Sequence, residues 1–242
     1  MEDDGVVGHE VAEGGVTEPD AGDFAEMALA LHEEPDVEQT LERVVEYAQQ
    51  ATVCDDAGLM LLHGGGRIET AVATDPRVRK ADELQTTLAE GPARLAVKNR
   101  ATILVDDTAG DPRWPSWGPQ AADLGLRSVL SVHLHTGNAT LGTLNLYGHR
   151  PGMFDHDDVD VAEIFGRHAS IALASAREED GLRQAIGARH LIGLAQGILM
   201  ERYGLDADRA FAVLRRYSRN SNVKLRVVAE RVIATGRLPE EP

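Results

Sequence analysis

Residues 128–147 read SVLSVHLHTGNATLGTLNLY and contain two strand-like runs on either side of a short polar turn. The runs, Ser128 to Leu134 and Thr140 to Tyr147, are rich in apolar and β-branched side chains that suit a pleated, buried surface. Gly137 and Asn138 lie between them, and both residue types readily adopt the backbone angles of a tight hairpin turn. The stretch therefore predicts an antiparallel β-hairpin.

Shorter patterns precede this hairpin and predict the rest of a mixed fold. Their apolar periodicity indicates strands, helices and one irregular loop rich in Asp, Pro and Trp. The predicted strands are Ala57–Leu62, Arg67–Ala73 and Ile103–Val105, the predicted helices lie near Val37–Ala48, Val78–Leu88 and Pro92–Lys98, Gly64–Gly66 forms a turn, and the loop runs from Asp106 to Trp117. An antiparallel sheet with helices segregated around it is an α+β fold.

The N-terminal region is acidic and polar. The first Lys or Arg of the chain is Arg43, and residues 1–22 mix Asp, Glu and Gly with few large apolar side chains. Such a composition buries too little apolar surface to offset chain entropy, so a disordered acidic tail is predicted over 1–22. From there the spacing of Phe24, Met27 and Leu31 predicts a helix.

Beyond Phe154 the sequence has a continuously helical pattern, with no proline until Pro239. An apolar stripe from Val159 to Ala176 predicts a helix that begins near Asp157 and runs toward Glu179. Such a helix can leave its domain as an exposed stalk, and stalks of this kind often pair with a second copy. We therefore expect a homodimer.

Charge is distributed very unevenly along the 242 residues. Residues 181–242 hold eleven of the 24 Lys and Arg but only six of the 40 Asp and Glu, so they carry about +5 while residues 1–180 carry about −21. A basic segment attached to an acidic body predicts a polyanionic partner.

Three amphipathic helix patterns follow one another within this basic segment. Their apolar positions are Ile186, Leu191, Ala195, Ile198 and Leu199, then Ala210, Phe211, Val213, Leu214 and Tyr217, then Leu225, Val228, Ala229, Val232 and Ile233. At about 100° per residue, Arg215, Arg216 and Arg219 lie on the side of the second helix opposite its apolar face. Asn222 is the predicted N-cap of the third helix and Gly236 its stop.

Signals for catalysis and metal binding are weak. His133 and His135 share one face of a strand, but two imidazoles are too few for a tight metal site, so we interpret them as partly buried strand residues. Cys54 is the one cysteine and adjoins an apolar strand, which favours a buried thiol. The Asp residues of the Asp106–Trp117 loop are ordinary turn residues. No nucleophile motif, phosphate loop or metalloprotease helix occurs, so we expect no enzyme activity, and the cofactor is unassigned.

The chain shows no signal for membrane insertion or secretion. It contains no run of eighteen apolar residues, and its acidic start at Glu2, Asp3 and Asp4 is unlike a secretory signal. We therefore expect a cytoplasmic protein with no membrane partner.

Two segments and the helix after them resemble a GAF domain of the bacterial signalling type. They are GPARLAVKNRATILVDDTAGDPRWP at 91–115 and GLRSVLSVHLHTGNATLGTLNLYGHRPGMFD at 125–155. The resemblance covers about Phe24 to Ala176 and implies a sensor domain over 23–176, with a small-molecule pocket on one face of the sheet. The motifs of cyclic-nucleotide-binding GAF domains are missing, so neither the ligand nor the ligand-binding residues are assigned.

A second resemblance covers Ala188 to Ile233, which read ARHLIGLAQGILMERYGLDADRAFAVLRRYSRNSNVKLRVVAERVI. This segment resembles an ANTAR domain, the three-helix RNA-binding module of transcription antiterminators. The family's Ala-Lys-Gly-x-Leu-Met core is matched at Ala195, Gly197, Leu199 and Met200, with Gln196 in place of the usual Lys. The resemblance implies an RNA-binding domain over 185–238, a helical linker over 177–184, and a domain order common in actinobacteria.

Together the resemblances imply a signal-responsive regulator that binds hairpins in nascent transcripts and promotes transcription antitermination. Arginine suits this task because its guanidinium group can bind phosphate and stack on unpaired bases. The candidate RNA-binding residues are Arg189, Gln196, Arg215, Arg216, Arg219, Lys224 and Arg226. Two alternatives stay open: a DNA-binding transcription regulator, and a protein-interaction signalling module without nucleic-acid binding. Competition between duplex DNA and hairpin RNA, and the salt dependence of binding, distinguish the three.

Overall fold

The structure, a computed structural model, describes residues 37–238. The sequence-based predictions of a disordered tail over 1–22 and of a helix containing Phe24, Met27 and Leu31 lie outside these residues. The chain divides into two compact units, residues 1–176 and 177–242. Each unit is described separately below.

The first unit has the α+β fold that its periodicity predicts. In chain order its elements are α1 (Val37–Ala51), β1 (Asp56–Leu62), a 3-10 turn (Gly64–Gly66), β2 (Ile68–Ala73), α2 (Pro76–Leu88), α3 (Pro92–Asn99), β3 (Ile103–Val105), α4 (Trp117–Asp123), β4 (Ser128–Thr136), β5 (Ala139–Gly148) and the beginning of α5 (His156–Tyr203). All neighbouring strands pair antiparallel, in the order β2-β1-β5-β4-β3. The α+β prediction is confirmed.

The central hairpin is confirmed with slightly longer strands. The pairing of β4 and β5 ends at Thr136 and Ala139, so Gly137 and Asn138 alone form the turn. Gly137 has a φ of 53°, a left-handed conformation that glycine adopts without steric cost. A second glycine of the hairpin, Gly142 in β5, faces the backbone of Met60 in β1 so closely that a Cβ atom would overlap the Met60 carbonyl oxygen.

The sheet buries apolar side chains on both faces, because successive residues of its apolar strands point to opposite faces. One face packs against α1 and α5, with Leu144, Leu146 and Phe165 in its core. The other packs against α2, α3 and α4, with Trp117 and Tyr147 in its core. Helix α4 was not predicted, because Gly and Pro follow Trp117 and resemble loop residues. Its first side chain holds it in place, since Trp117 Nε1 donates a hydrogen bond to the Ala81 carbonyl oxygen at 2.9 Å.

The second unit is a bundle formed by the end of α5 with α6 (Ala207–Asn220) and α7 (Leu225–Thr235). Its fully buried side chains come from all three helices: Ala195, Leu199, Ala210, Leu214, Val228, Ala229 and Val232. The first amphipathic pattern of the basic segment is therefore the last part of a 48-residue helix rather than a separate element. Segment 177–184 lies within that helix.

Three details of the bundle differ from the sequence prediction. Asn222 is not the N-cap of α7; it has a φ of 53° in the connecting turn, and Lys224 is the N-cap, without a side-chain capping bond. Phe211 remains 36% exposed because it lies at the margin of the α6 stripe that faces the core, and Ile186 is 57% exposed because it lies on the side of α5 roughly opposite Ala195 and Leu199. The predicted stop is confirmed, since Gly236 caps α7 with a φ of 69°.

Candidate nucleic-acid interface and sensor interior

Helix α6 separates a buried apolar face from an exposed basic face. Ala210, Leu214 and Tyr217 are buried, and the side chains opposite them are exposed. At about 100° per residue, those basic side chains fall within about 100° of one another. They are Arg215, Arg216 and Arg219, all in the C-terminal half of the helix. Positive charge is favourable at this end of a helix because the last carbonyl groups carry partial negative charge.

The arginines of this basic face have no carboxylate partners within residues 37–238. Other arginines of the bundle are paired: Arg226 Nη1 lies 3.1 Å from Glu230 Oε1, and Arg209 Nε lies 3.3 Å from Asp206 Oδ2. The three guanidinium groups on α6 are thus available for an external anion.

The other candidate residues lie elsewhere in the bundle, in different settings. Arg189 is exposed on α5, and Lys224 is exposed immediately before α7. Gln196 is half-buried, and its Nε2 donates a hydrogen bond to the Ala207 carbonyl oxygen at 3.1 Å. This bond joins α5 to the first turn of α6, so Gln196 helps to orient the helix that carries the basic face. Asp206 caps the same turn by accepting from the Arg209 backbone N–H at 2.7 Å.

An exposed apolar stripe on α5 was not recognised in the sequence. Leu182, Ile186, Met200 and Tyr203 are all more than a third exposed. At about 100° per residue they fall within about 100° of one another. The signal was present in the spacing, but Ile186 was assigned to the bundle core instead. Clustered apolar side chains on an exposed helix indicate an interaction surface.

The interior of the first unit contains a buried carboxyl group that the sequence analysis also missed. Asp82 on α2 is fully buried and accepts hydrogen bonds from Tyr147 Oη at 2.6 Å, Asn145 Nδ2 at 3.1 Å, Thr70 Oγ1 at 3.3 Å and Gln85 Nε2 at 3.4 Å. Burial raises the pKa of Asp82 to about 6, against the lowering effect of these hydrogen bonds. The network ties α2 to the sheet. Its sequence signal is the polar position of Asp82 on the apolar side of α2, four residues after Val78.

The strand histidines behave largely as predicted. The rings of His133 and His135 stack with their centroids 4.9 Å apart. His133 is buried with Nε2 at 3.0 Å from Thr140 Oγ1, whereas His135 is exposed. Among the described residues no group of three or more His, Cys, Asp or Glu could hold a metal ion.

Cys54 and the acidic loop show no reactive arrangement. Cys54 is half-buried, and burial raises the pKa of its thiol to about 11, so it stays protonated at neutral pH. In the loop, Asp107 pairs with Arg127 at 2.9 Å, and Asp111 accepts from the Arg113 backbone N–H at 2.9 Å. The hydrogen bond from Arg127 lowers the pKa of Asp107. These are contacts that hold a turn.

In the part of the chain that the structure describes, no helix combines the length and the apolar character needed to cross a bilayer.

The first unit is thus an antiparallel-sheet domain with helices on both faces, and the second is a three-helix bundle with a basic face. Comparison with protein families agrees: a GAF domain is matched at residues 34–174 and an ANTAR domain at residues 180–233. The chain belongs to the GAF domain family and carries an ANTAR domain after it. GAF domains are sensors and ANTAR domains are RNA-binding antitermination modules, so this pair is that of a signal-responsive regulator.

Solved structures similar to this chain share its fold at low sequence identity. The GAF domain of a phosphoenolpyruvate-protein phosphotransferase from Coxiella burnetii has 17% identity and a TM-score of 0.53, covering 65% of this chain and 94% of its own. The corresponding Acinetobacter domain has 14% identity and a TM-score of 0.52, with coverages of 65% and 94%. Free methionine-R-sulfoxide reductase from Neisseria meningitidis has 15% identity and a TM-score of 0.51, with coverages of 64% and 89%. Among curated proteins, no sequence matches this chain significantly.

Proposed function

We propose that this protein binds RNA hairpins in nascent transcripts through the basic face of α6 and promotes transcription antitermination in response to a signal. The observation that carries the proposal is the set of exposed, unpaired arginines opposite the core of the ANTAR unit: Arg215, Arg216 and Arg219. Because nascent transcripts are the target, the site of action is the cytoplasm.

The chemistry of this face suits RNA. A hairpin presents phosphates and 2′-hydroxyls along its stem and unstacked bases in its loop. A guanidinium group can bind a phosphate through two parallel hydrogen bonds and can also stack on a base. Each phosphate that an arginine neutralises releases counterions, so the affinity should fall steeply as salt rises.

The remaining candidates contribute unequally to the proposed interface. Arg189 and Lys224 add exposed positive charge to the same bundle. Arg226 must exchange Glu230 for a phosphate, but an exposed i,i+4 pair is worth only a few tenths of a kcal/mol, so the exchange costs little. Gln196 acts mainly by orienting α6 through its bond to the Ala207 carbonyl oxygen.

The exposed stripe on α5 supports a homodimer. A second copy could cover Leu182, Ile186, Met200 and Tyr203, and Arg189 lies almost in line with Leu182 and Met200. A dimer carries two bundles and can engage two hairpins on one transcript. The second binding event is then intramolecular, which raises the apparent affinity through effective concentration.

The sensor half supplies the response to a small molecule. Helix α5 begins within the GAF unit and ends within the ANTAR unit. A ligand that displaces the start of this helix can therefore change the pairing of its exposed end, and with it the engagement of paired hairpins.

The test is a gel-shift titration of a tandem-hairpin RNA, a single hairpin and duplex DNA at two salt concentrations. Arg215→Glu/Arg216→Glu should reduce the affinity for RNA by more than about a hundredfold, since two phosphate-binding charges are reversed. Arg231→Glu is the matched control, because Arg231 is an exposed arginine of α7 outside the candidate set. It should lower the affinity only through net charge, by about threefold or less.

Each outcome separates the proposal from an alternative. Preference for duplex DNA over both RNAs would favour a DNA-binding regulator. Absence of RNA binding, together with a protein partner whose affinity does not depend on salt, would favour a protein-interaction module. Equal losses in the double variant and the control would show that α6 is not the interface.

A further inference from the structure

A cavity of about 210 Å³ lies at the edge of the sheet of the first unit, where β4 extends beyond the end of β3. Its polar lining comes from three elements: Arg100 after α3, His133 and His135 on β4, and Glu163, Arg167 and Ser170 on α5. A smaller cavity of about 90 Å³ adjoins it and shares Arg100 and both histidines. The two cavities lie at the edge of the sheet, whereas the resemblance to GAF domains implies a small-molecule pocket on one face of the sheet.

The lining carries an excess of positive charge. Arg100 and Arg167 are permanently charged, the His133 imidazole can gain a proton, and Glu163 is the one carboxylate among the lining residues. Neither arginine forms a hydrogen bond through its side chain or an ion pair within residues 37–238. The excess is therefore left without compensation by the described part of the protein.

The protein holds this lining in a defined geometry. The rings of His133 and His135 are stacked at an angle of 14°. Thr140 Oγ1 hydrogen-bonds to His133 Nε2 at 3.0 Å, and Ser170 Oγ accepts from the His135 backbone N–H at 2.9 Å. Ser170 Oγ in turn donates to the Gly166 carbonyl oxygen at 2.6 Å. These bonds connect β4 directly to α5.

Arg100 occupies its place through an unusual backbone conformation. It has a φ of 54° as the residue that ends α3, and its backbone N–H donates to the Ala96 carbonyl oxygen. A left-handed conformation is uncommon for a residue other than glycine. Here it places an arginine at the mouth of both cavities.

The electrostatic environment of His133 also favours an anion in the cavity. Burial, and then the charges of His135 and Arg100, lower the pKa of His133. Glu163 and Arg167 on α5 also face the cavity, and Thr140 on β5 is uncharged. The positive charge of Arg100, which disfavours a proton on His133, attracts an anion, and a bound anion would favour protonation.

We propose that this edge cavity binds a small anion carrying a phosphate or carboxylate group. Its volume is below the roughly 300–1,000 Å³ typical of sites for drug-sized ligands, which favours a ligand of few heavy atoms. Arg100 and Arg167 bind the anionic group, and His133 adds charge on protonation. Three lining residues belong to α5, so the bound anion could act as the signal of the proposed function, and that role rests on the proposed function. The binding of the anion is independent of it.

The test is isothermal titration calorimetry of the full chain, without RNA, against inorganic phosphate and, in a separate arm, succinate. Saturable binding of either anion is expected, and the arm that binds more tightly identifies the group. Arg100→Gln and Arg167→Gln should each weaken binding about tenfold through loss of a charge-assisted hydrogen bond. Arg150→Gln removes the same charge from an exposed position outside both cavities and should change affinity less than about twofold.

The pH dependence provides an independent readout. Because the bound anion favours protonated imidazole, affinity should rise as the pH falls from 8 to 6. His133→Gln/His135→Gln should flatten this dependence. No saturable binding of either anion at pH 6, or equal effects of the Arg150 and Arg167 variants, would overturn the proposal. Since RNA is absent from the titration, failure of RNA binding and failure of anion binding are separate results.

Discussion

At the scale of the residue, Asp82 shows how burial changes the chemistry of an ordinary carboxyl group. Its pKa of about 6 lies above the value of 3.8 that it has in an unfolded chain. Below about pH 4 both states are protonated, and between about pH 4 and 6 the folded state keeps a proton that the unfolded state has lost. The stability contributed by protonated Asp82 is therefore complete at low pH and is lost as the pH rises through about 6.

Asp82→Asn removes this titration while keeping the size of the side chain. Between pH 4.5 and 7.5 the unchanged protein should lose about 2 kcal/mol in free energy of unfolding relative to the variant, because most of the shift of the Asp82 pKa from 3.8 to about 6 falls within this range. Urea unfolding followed by tryptophan fluorescence measures it. Both tryptophans of the chain, Trp114 and Trp117, belong to the first unit and report on it alone. Parallel pH profiles for the two proteins would show that Asp82 does not titrate in this range.

At the scale of the element, strand β5 depends on the absence of a side chain at Gly142. A Cβ atom there would overlap the Met60 carbonyl oxygen, and a backbone atom cannot move aside as a flexible side chain can. Gly142→Ala should therefore lower the free energy of unfolding of the first unit by about 3 kcal/mol, measured by the same tryptophan fluorescence. Gly64→Ala is the control, since a Cβ atom at Gly64 meets no atom within 4 Å. Equal stability of the two variants would show that the approach of β1 and β5 is looser than described.

In the molecule as a whole, the exposed stripe on α5 is the contact that we propose for a homodimer, which would bring two bundles together. Leu182→Gln/Ile186→Gln should shift the protein toward monomer in sedimentation velocity, because it removes apolar surface from the proposed dimer contact without disturbing a core. The affinity for tandem-hairpin RNA should then fall about a hundredfold toward that for a single hairpin, which itself should stay within about twofold. Leu194→Gln is the matched control, since Leu194 is also exposed on α5 but lies about 120° from Leu182. A dimer that survives the double change would assign the contact to another surface.

Local sequence patterns predicted the strands, most helices and the basic face. The hairpin at Gly137 and Asn138 and the stop at Gly236 follow from short-range backbone preferences, which act within a few residues. The position of Arg216 on the side of α6 opposite Leu214 follows from helical geometry alone. The order of the GAF and ANTAR domains could be read because their motifs occupy contiguous segments.

Other features were predicted wrongly or were not predicted, because they depend on residues that are distant in the sequence. Helix α4 is held by the Trp117 bond to the Ala81 carbonyl oxygen, and residues 36 positions apart leave no joint pattern in the sequence. Asn222 has the composition of an N-cap, yet the path of the chain into α7 places it in a left-handed turn. Phe211 is apolar, but only the meeting of three helices decides that it stays at the margin of the core.

Three features follow from the order of neighbouring residues and could be read without the structure. They are the α+β class, the three amphipathic patterns of the basic segment and the charge contrast between the two ends of the chain. The burial of Asp82 with Tyr147 and Asn145 is visible only in the folded protein. The same holds for the cavity that Arg100 and Arg167 line together with the stacked histidines. Burial and electrostatic environment are set by side chains that are far apart along the chain, and folding alone brings them together.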